Sequence, residues 1–319
     1  MPTVVIEHAA DLRAHLNQAR GDGASVGFVP TMGAFHTGHR SLMQAARAGH
    51  GVVVVSLFVN PLQFGPAEDL DRYPRDLTGD LTVATGEGVD ILFAPGVAEV
   101  YPVYPPATTV RVAGLTEGLC GACRPGHFDG VTTVVAKLFA MVGPCAAYFG
   151  RKDAQQLAVV RRMAADLCLP VEVVGCPLVR EADGLALSSR NRRLVPEERR
   201  AASVLHRGLQ AGADLVAGGE RDARRLRRVV ANVVTTEPLV RLEYVEVVGA
   251  HDLVATDTID GDVLVALAAT VGDVRLIDNM TIHVSENVGA GASADLGVTS
   301  DGRAWTPREG SKEAMCAAG

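Results

Sequence analysis

The sequence predicts an α/β protein, a doubly wound parallel sheet followed by a smaller α+β domain. Three observations carry that prediction. Short, wholly apolar runs alternate with helical patterns between about residues 25 and 180. Past residue 183 the chain changes to charged, Ala/Leu/Arg-rich helices and then strand-like runs. Turns rich in Gly, His, Lys and Gln stand where strands hand over to helices, which is where such sheets bind ligands.

Each element follows from its pattern. Val26-Gly27-Phe28-Val29 reads as a short buried strand, and Arg40 to Arg47 as the helix after it, through Leu42, Met43, Ala45 and Ala46. Val52 to Phe58 reads as a buried parallel strand, Asp76 to Gly86 as a helix, and Asp90 to Ala94 as a strand. Val131 to Val142 is helical, and Ala146 to Phe149 is a strand ending at Gly150. Asp153 to Leu167 is helical, followed by a strand over Val171 to Val174. Pro196 to Ala217 and Arg221 to Thr235 are helices; strands follow over 244–248, 263–268 and 274–278. The expected division is 1–182 for the sheet domain and 183–284 for a smaller lid domain. Residues 285–319, Gly/Ala/Ser-rich with few apolar anchors, are expected to form a disordered tail.

Composition narrows the function. The 319 residues are 48% hydrophobic and 21% charged, which fits a globular protein with two cores. Aromatic residues are only 4% and the net charge is −7 without a long basic run, which argues against a nucleic-acid partner. No apolar stretch is long enough to span a membrane, and Met1-Pro2-Thr3-Val4 opens no secretory leader, so the cytoplasm is the expected location. Of six cysteines, Cys120 and Cys123 with His127 resemble half a zinc knuckle or a redox dithiol, but the second pair is missing. Cys145, Cys168 and Cys176 read as small buried hydrophobes.

The most informative turn is Thr31-Met32-Gly33-Ala34-Phe35-His36-Thr37-Gly38-His39. It joins a strand to a helix whose free N–H groups and positive end suit phosphate. His36 and His39 can point to one side of the first helical turn. Surface histidines or a His-x-x-His metal site are the competing readings, and zinc lacks an obvious third ligand. Three further segments belong to the same kind of junction. Asn60-Pro61-Leu62-Gln63-Phe64-Gly65 brings an amide side chain to a strand end, and the polar loop beyond it, with Asp69 to Arg75, could close over a site. Gly150-Arg151-Lys152-Asp153-Ala154-Gln155-Gln156 offers a cation and a capping carboxylate. Leu187-Ser188-Ser189-Arg190-Asn191 sets two hydroxyls beside a guanidinium at the domain junction, a clamp suited to pyrophosphate. A Walker site is excluded, because His127-Phe128 stands where Lys-Ser/Thr is needed after Gly126.

Taken together, these motifs resemble the pantothenate synthetase (pantoate–β-alanine ligase) family of the nucleotidylyl-transferase superfamily. The resemblance spans roughly residues 1 to 284 and includes Arg124-Pro125-Gly126-His127-Phe128. It implies a Rossmann-like first domain and an ATP-driven condensation of pantoate with β-alanine through a pantoyl adenylate, releasing AMP and pyrophosphate. It also implies an ATP site at Met32 to His39, Gly150 to Asp153, Val179 and Leu187 to Arg190. Within it His39 would be the acid toward the leaving pyrophosphate, assisted by His36. Gln63 and Gln156 would bind pantoate, Gln63 also placing β-alanine. Mg2+ would bridge the phosphates, with Asp80 a candidate ligand, and the chain would form a homodimer. Two positions depart from the expected pattern: Arg151 replaces an acidic residue, and Ala154 replaces an aromatic one, leaving space in the helix wall. A transferase lacking the ligation step, and a non-catalytic nucleotide- or metal-binding protein, are the alternatives.

Overall fold

The computed structural model describes residues 2–64, 70, 73–284, 293–295 and 298–299. The chain runs β1 (Val4–Ile6), α1 (Ala9–Gly21), β2 (Val26–Thr31), α2 (Thr37–Gly49), β3 (Val52–Leu57), α3 (Leu77–Gly86), β4 (Ile91–Phe93), α4 (Val97–Val100), α5 (Leu119–Cys123), α6 (His127–Val142), β5 (Cys145–Gly150), α7 (Ala154–Asp166), β6 (Val171–Cys176) and β7 (Val179–Arg180). It continues through α8 (Pro196–Ala201), α9 (Val204–Ala217), α10 (Ala223–Val234), β8 (Val240–Gly249), β9 (Val263–Val271), β10 (Val274–His283), β11 (Ser293–Asp295) and β12 (Val298–Thr299).

Six strands form a parallel sheet in the order β1-β4-β3-β2-β5-β6. The central strands are apolar because both faces are covered. Along β2 and β3, Phe28 and Val54 pack on one face with Leu12, Leu16 and Phe139 of α1 and α6. Val29, Val53 and Val55 pack on the other with Leu42, Met43 and Ala46 of α2. That is the two-residue alternation of a strand read in three dimensions. The chain builds outward from β2 through β3 to β4, then returns to place β5 on the other side of β2. The strand order therefore reverses between β2 and β5, and a crevice opens at their carboxyl ends.

The second unit is an antiparallel sheet, β11-β10-β9-β8, backed by α9 and α10. Strand β9 is buried on both faces. Val263, Val265, Leu267, Ala269 and Val271 meet the helices, while Leu264 and Ala266 face Leu119, Ala154 and Tyr244. The space expected beside Ala154 is thus approached by the second unit.

Several expectations are corrected. The helix expected over Pro196 to Ala217 is two helices, α8 and α9, broken at Ala202 and Ser203. Helix α6 begins at His127 rather than near Val131, with Gly126 before it in the left-handed region at φ 79°. Cys168 is exposed rather than buried. Within the expected tail, Ser293–Asp295 pairs with the free edge of β10 and Val298–Thr299 with β7, so these five residues are strand, as an open sheet edge favours. The remainder of 285–319, Cys316 included, lies outside the described residues. Among the described residues no helix is long and apolar enough to cross a membrane.

Candidate active site

The turn after β2 is built around strain and a carboxylate that holds it. Gly33 (φ 89°) and Ala34 (φ 53°) are both left-handed. That conformation costs an alanine on the order of 1 kcal/mol or more. Asp80, buried on α3, receives the Ala34 N–H at 3.0 Å and the Phe35 N–H at 2.8 Å. A side chain at Gly33 would fall 2.8 Å from that carboxylate, so glycine is required there on two counts. Both Asp80 oxygens are engaged with backbone N–H groups, which makes this carboxylate the holder of the turn.

The strained turn delivers two adjacent imidazoles, their planes inclined at 33°, to the start of α2. Their ring centroids lie 4.1 Å apart. The Gly38 N–H donates to His36 Nδ1 at 3.1 Å, and the His36 N–H donates to His39 Nδ1 at 3.3 Å, a reciprocal cap made by histidines. Each Nδ1 is an acceptor, which places the proton of the neutral ring on Nε2. Burial pushes His36 down to about 4, and the charges of Lys152 and Arg192 push the same way. Burial pushes His39 down to about 3, joined by His36 and Lys152. At neutral pH the pair presents two uncharged Nε2–H donors beside a cation.

That cation comes from the turn after β5. Arg151–Asp153 is a single 3-10 turn leading into α7, and Lys152 lies 3.9 Å from Asp153. Arg151 runs its stem beside Gly175 of β6, its charge bearing on Arg161 and Cys176. One residue of α7 inward, buried Gln155 ties the loop ahead of α5: it donates to Leu115 O and Gly118 O and accepts from the Cys120 N–H.

Gln63 closes the third side. It ends a 3-10 turn, Pro61–Gln63, capped by Asn60. The fully buried Asn60 accepts from Tyr101 OH at 2.8 Å and donates to Gly130 O and to Gln63 Oε1. Gln63 Nε2 then reaches Met32 Sδ at 2.9 Å, joining this turn to the His36 turn. The Gln63 carbonyl receives His127 Nδ1 at 2.8 Å. Gly130 is what lets α6 lie this close, since a side chain there would meet Leu62 O at 2.4 Å.

A single cleft is lined by Arg124, His127, Lys152, Asp153, Gln156 and Arg190, with Asp278 and Asn279 from β10. The Leu187–Arg190 segment is anchored where Leu187 N–H donates to Val179 O at 2.9 Å, and β7 lies beside α2. Burial raises the Tyr73 phenol, on which the charges of Arg190 and Asp80 also act. Gly65, Asp69, Asp71 and Arg72 of the expected closing loop lie outside the described residues.

Among the described residues the His36, Gln63, His127 and Lys152 turns are neighbours, and Arg190 lines the same cleft as Lys152. Sequence reasoning missed the supporting residues: Asn60, Gln155, Arg180, Asp278 and Asn279 had not been assigned to the site. The first two stood inside quoted motifs; Asp278 read only as the end of a strand, and Asn279 as the residue after it. Among the described residues no three His, Cys, Asp or Glu side chains are grouped to hold a metal. Cys120 instead has its sulfur 3.3 Å from Tyr244 OH, and Cys123 is exposed.

Comparison with known proteins finds related sequences and related folds. The sequence profile described as pantoate-beta-alanine ligase matches residues 4–281. The pantothenate synthetase of Heliobacterium modesticaldum is 54% identical over 281 residues, covering 88% of this chain and 99% of the relative. That of Moorella thermoacetica is 53% identical over 283 residues, with 88% and 99% covered. Among solved structures, pantothenate synthetase from Thermus thermophilus superposes with a TM-score of 0.81 at 48% identity, covering 86% of this chain and 98% of that one. Pantoate-beta-alanine ligase from Francisella tularensis, complexed with beta-gamma ATP and beta-alanine, superposes at 0.70 with 30% identity, covering 87% and 97%.

Proposed function

This chain belongs to the pantoate–beta-alanine ligase family, and from that premise we propose how its residues divide the work of the reaction. The chain is an ATP-dependent ligase that condenses pantoate with β-alanine to pantothenate through a pantoyl adenylate. In the first step a pantoate carboxylate oxygen bonds to the α-phosphorus while the bond to the bridging oxygen breaks and pyrophosphate leaves. In the second, the β-alanine amine bonds to the acyl carbon, loses a proton, and AMP departs.

The observation that carries the proposed roles is the reversal of strand order at β2 and β5. It sets paired neutral imidazoles and Lys152 on either side of one crevice. The barrier of the first step is charge gathering on phosphate, which calls for fixed donors and cations. The Nε2–H groups of His36 and His39, the N–H groups of the first turn of α2 that the His36 cap leaves, and Lys152 meet that need. His39 begins as a neutral Nε2–H donor. The arriving triphosphate raises its affinity for a proton, which is taken up at Nδ1 in place of the His36 N–H, and Nε2–H then serves as the acid toward pyrophosphate. Ser188, Ser189 and Arg190 hold the β- and γ-phosphates, and Val179 and Leu187 line the nucleoside side. Gln63, with its oxygen held by Asn60 and one N–H by Met32, retains an N–H and a lone pair to orient pantoate, a role it shares with Gln156.

Magnesium is proposed to enter on ATP, held by phosphate oxygens and water, where it offsets phosphate charge. The protein's described side chains form no cage for it. Cytoplasmic residence and a homodimer joined through the amino-terminal sheet domain complete the reading. Both are supported by the family resemblance; sedimentation of the purified chain checks the second.

The decisive assay mixes the protein with ATP, magnesium, D-pantoate labelled with 18O in its carboxylate, and β-alanine. AMP carrying one 18O, together with pantothenate and pyrophosphate, is the expected result. ADP and phosphate, or unlabelled AMP, would overturn the adenylate route.

A further inference from the structure

The middle of β10 carries Asp278 and Asn279 into the junction between the two units, both almost fully buried. Asp278 binds Arg180 of β7 through both oxygens, at 2.7 and 3.0 Å. Arg180 also donates to Gly184 O and to the carbonyl of Asn279. The Asn279 side chain turns the other way. Its Nδ2 donates to the carbonyls of Arg151 at 3.0 Å and Lys152 at 2.8 Å. A carboxamide has two N–H donors, and here adjacent peptides of the nucleotide turn take both. The Asn279 N–H in turn bonds Asp278 Oδ1 at 2.7 Å, so the ion pair fixes the strand from which the amide reaches. The same cluster touches the second nucleotide segment, because Arg180 follows Val179, the acceptor for Leu187.

We infer that Asn279 is a positioning residue for the adenylation step, the second domain's pin on the backbone that carries Lys152 to the imidazole pair. The inference rests on the adenylation proposed above. It changes the part played by the second domain: beyond covering the site, that domain sets the geometry of the nucleotide turn from behind. A shift of the turn by an ångström moves the Lys152 ammonium away from the phosphates, with a cost of roughly ten- to a hundredfold in rate.

The test is Asn279→Asp, which keeps the shape and sets oxygens against both carbonyls, beside Asn279→Ser, which keeps one donor. Unfolding midpoints are measured first. Pyrophosphate release at saturating pantoate is expected to fall roughly ten- to a hundredfold in the Asp variant and less in the Ser variant. The KM for β-alanine should stay within about twofold, because the amine is not bound by this turn. The ring-nitrogen signals of His36 and His39 should shift as Lys152 moves, a readout that general destabilisation would not give. Unchanged rates in a folded Asp variant would overturn the inference, as would equal loss in both steps with unmoved ring signals. If neither variant folds, exchange of the Asn279 carboxamide protons in the wild-type protein decides: slow exchange supports the pin, solvent-like exchange removes it. AMP formation by the wild-type chain judges the adenylation reading separately from Asn279.

Discussion

The rim of the parallel sheet and the core of the carboxy-terminal unit both exclude water, but they do so around different chemistry. Leu205, Leu209, Leu226 and Val230 of α9 and α10, with Val265 and Leu267 of β9, bury only hydrocarbon. Buried polar side chains gather elsewhere: Ser56, Asn60, Asp80, Thr132, Thr133 and Gln155 in the amino-terminal unit, and Arg180, Asp278 and Asn279 at the junction. Arg180 and Asp278 pair with each other, and the others are spent on backbone. Asp80 holds Ala34 and Phe35, Asn60 holds Leu62 and Gly130, Gln155 holds the loop before α5, and Asn279 holds the Lys152 turn. Apolar burial makes the fold stable, whereas satisfied polar burial gives irregular loops one geometry.

The contrast breaks first at the junction, where the largest effect is expected. Asp278→Ala takes the carboxylate from a buried guanidinium and should lower stability by about 3–5 kcal/mol. Urea unfolding measures it, and a loss below about 1 kcal/mol would show the pair to be dispensable. Leu209→Ala follows. It opens a cavity in the hydrocarbon core, with an expected loss of about 3 kcal/mol within a usual range of 2–5. Turnover per folded molecule should nevertheless stay near normal at low temperature. A large drop in turnover with stability intact would show that this core does reach the site.

The same contrast explains what was legible in the sequence. Unbroken apolar runs such as Val52 to Val55 announce a buried strand and the spacing of Leu42, Met43 and Ala46 announces a helix face, so the strands and helices around β2 and β3 were readable. Three-residue β1 and two-residue β7 have no period to detect and take their form from neighbours: β1 from β4, β7 from the Ala186 bridge and β12. His36, His39, Gln63 and Lys152 were legible because reactive residue types stood at strand ends. Their supports were not. Asn279 lies 127 residues from Lys152 along the chain, and nothing local marks it as the donor to Lys152 O. Cys168 misled for a related reason: its left-handed backbone at φ 50° turns it out of an apolar stretch.

Two predictions separate rim from core by activity. His39→Ala is expected to slow adenylate formation by roughly a hundredfold or more, equivalent to about 2.7 kcal/mol of transition-state stabilisation. Its unfolding curve should change little by comparison, and near-normal pyrophosphate release would remove His39 from its assigned role. Gln63→Ala should raise the KM for pantoate by about tenfold and leave ATP-analogue affinity nearly unchanged. Calorimetric titration of each ligand distinguishes this from a general collapse of the site, in which both affinities fall together.

The smallest effect concerns protons and stability. His36 and His39 are held neutral in the folded chain, at about 4 and about 3, whereas an unfolded histidine titrates near 6.5. Between those values the unfolded chain binds protons that the native chain refuses. Stability therefore rises with pH through that window: the contribution is full above about 6.5 and is lost as pH falls toward the folded values. From pH 7 to pH 6 the loss is under about 1 kcal/mol per imidazole. Replacing both with glutamine should flatten this part of the profile, so the difference between the wild-type and variant curves isolates it from the carboxylates. A difference that does not change between pH 7 and pH 5 would mean that these rings titrate in the native chain as they do in the unfolded one, becoming cations beside Lys152 only as pH falls through about 6.5.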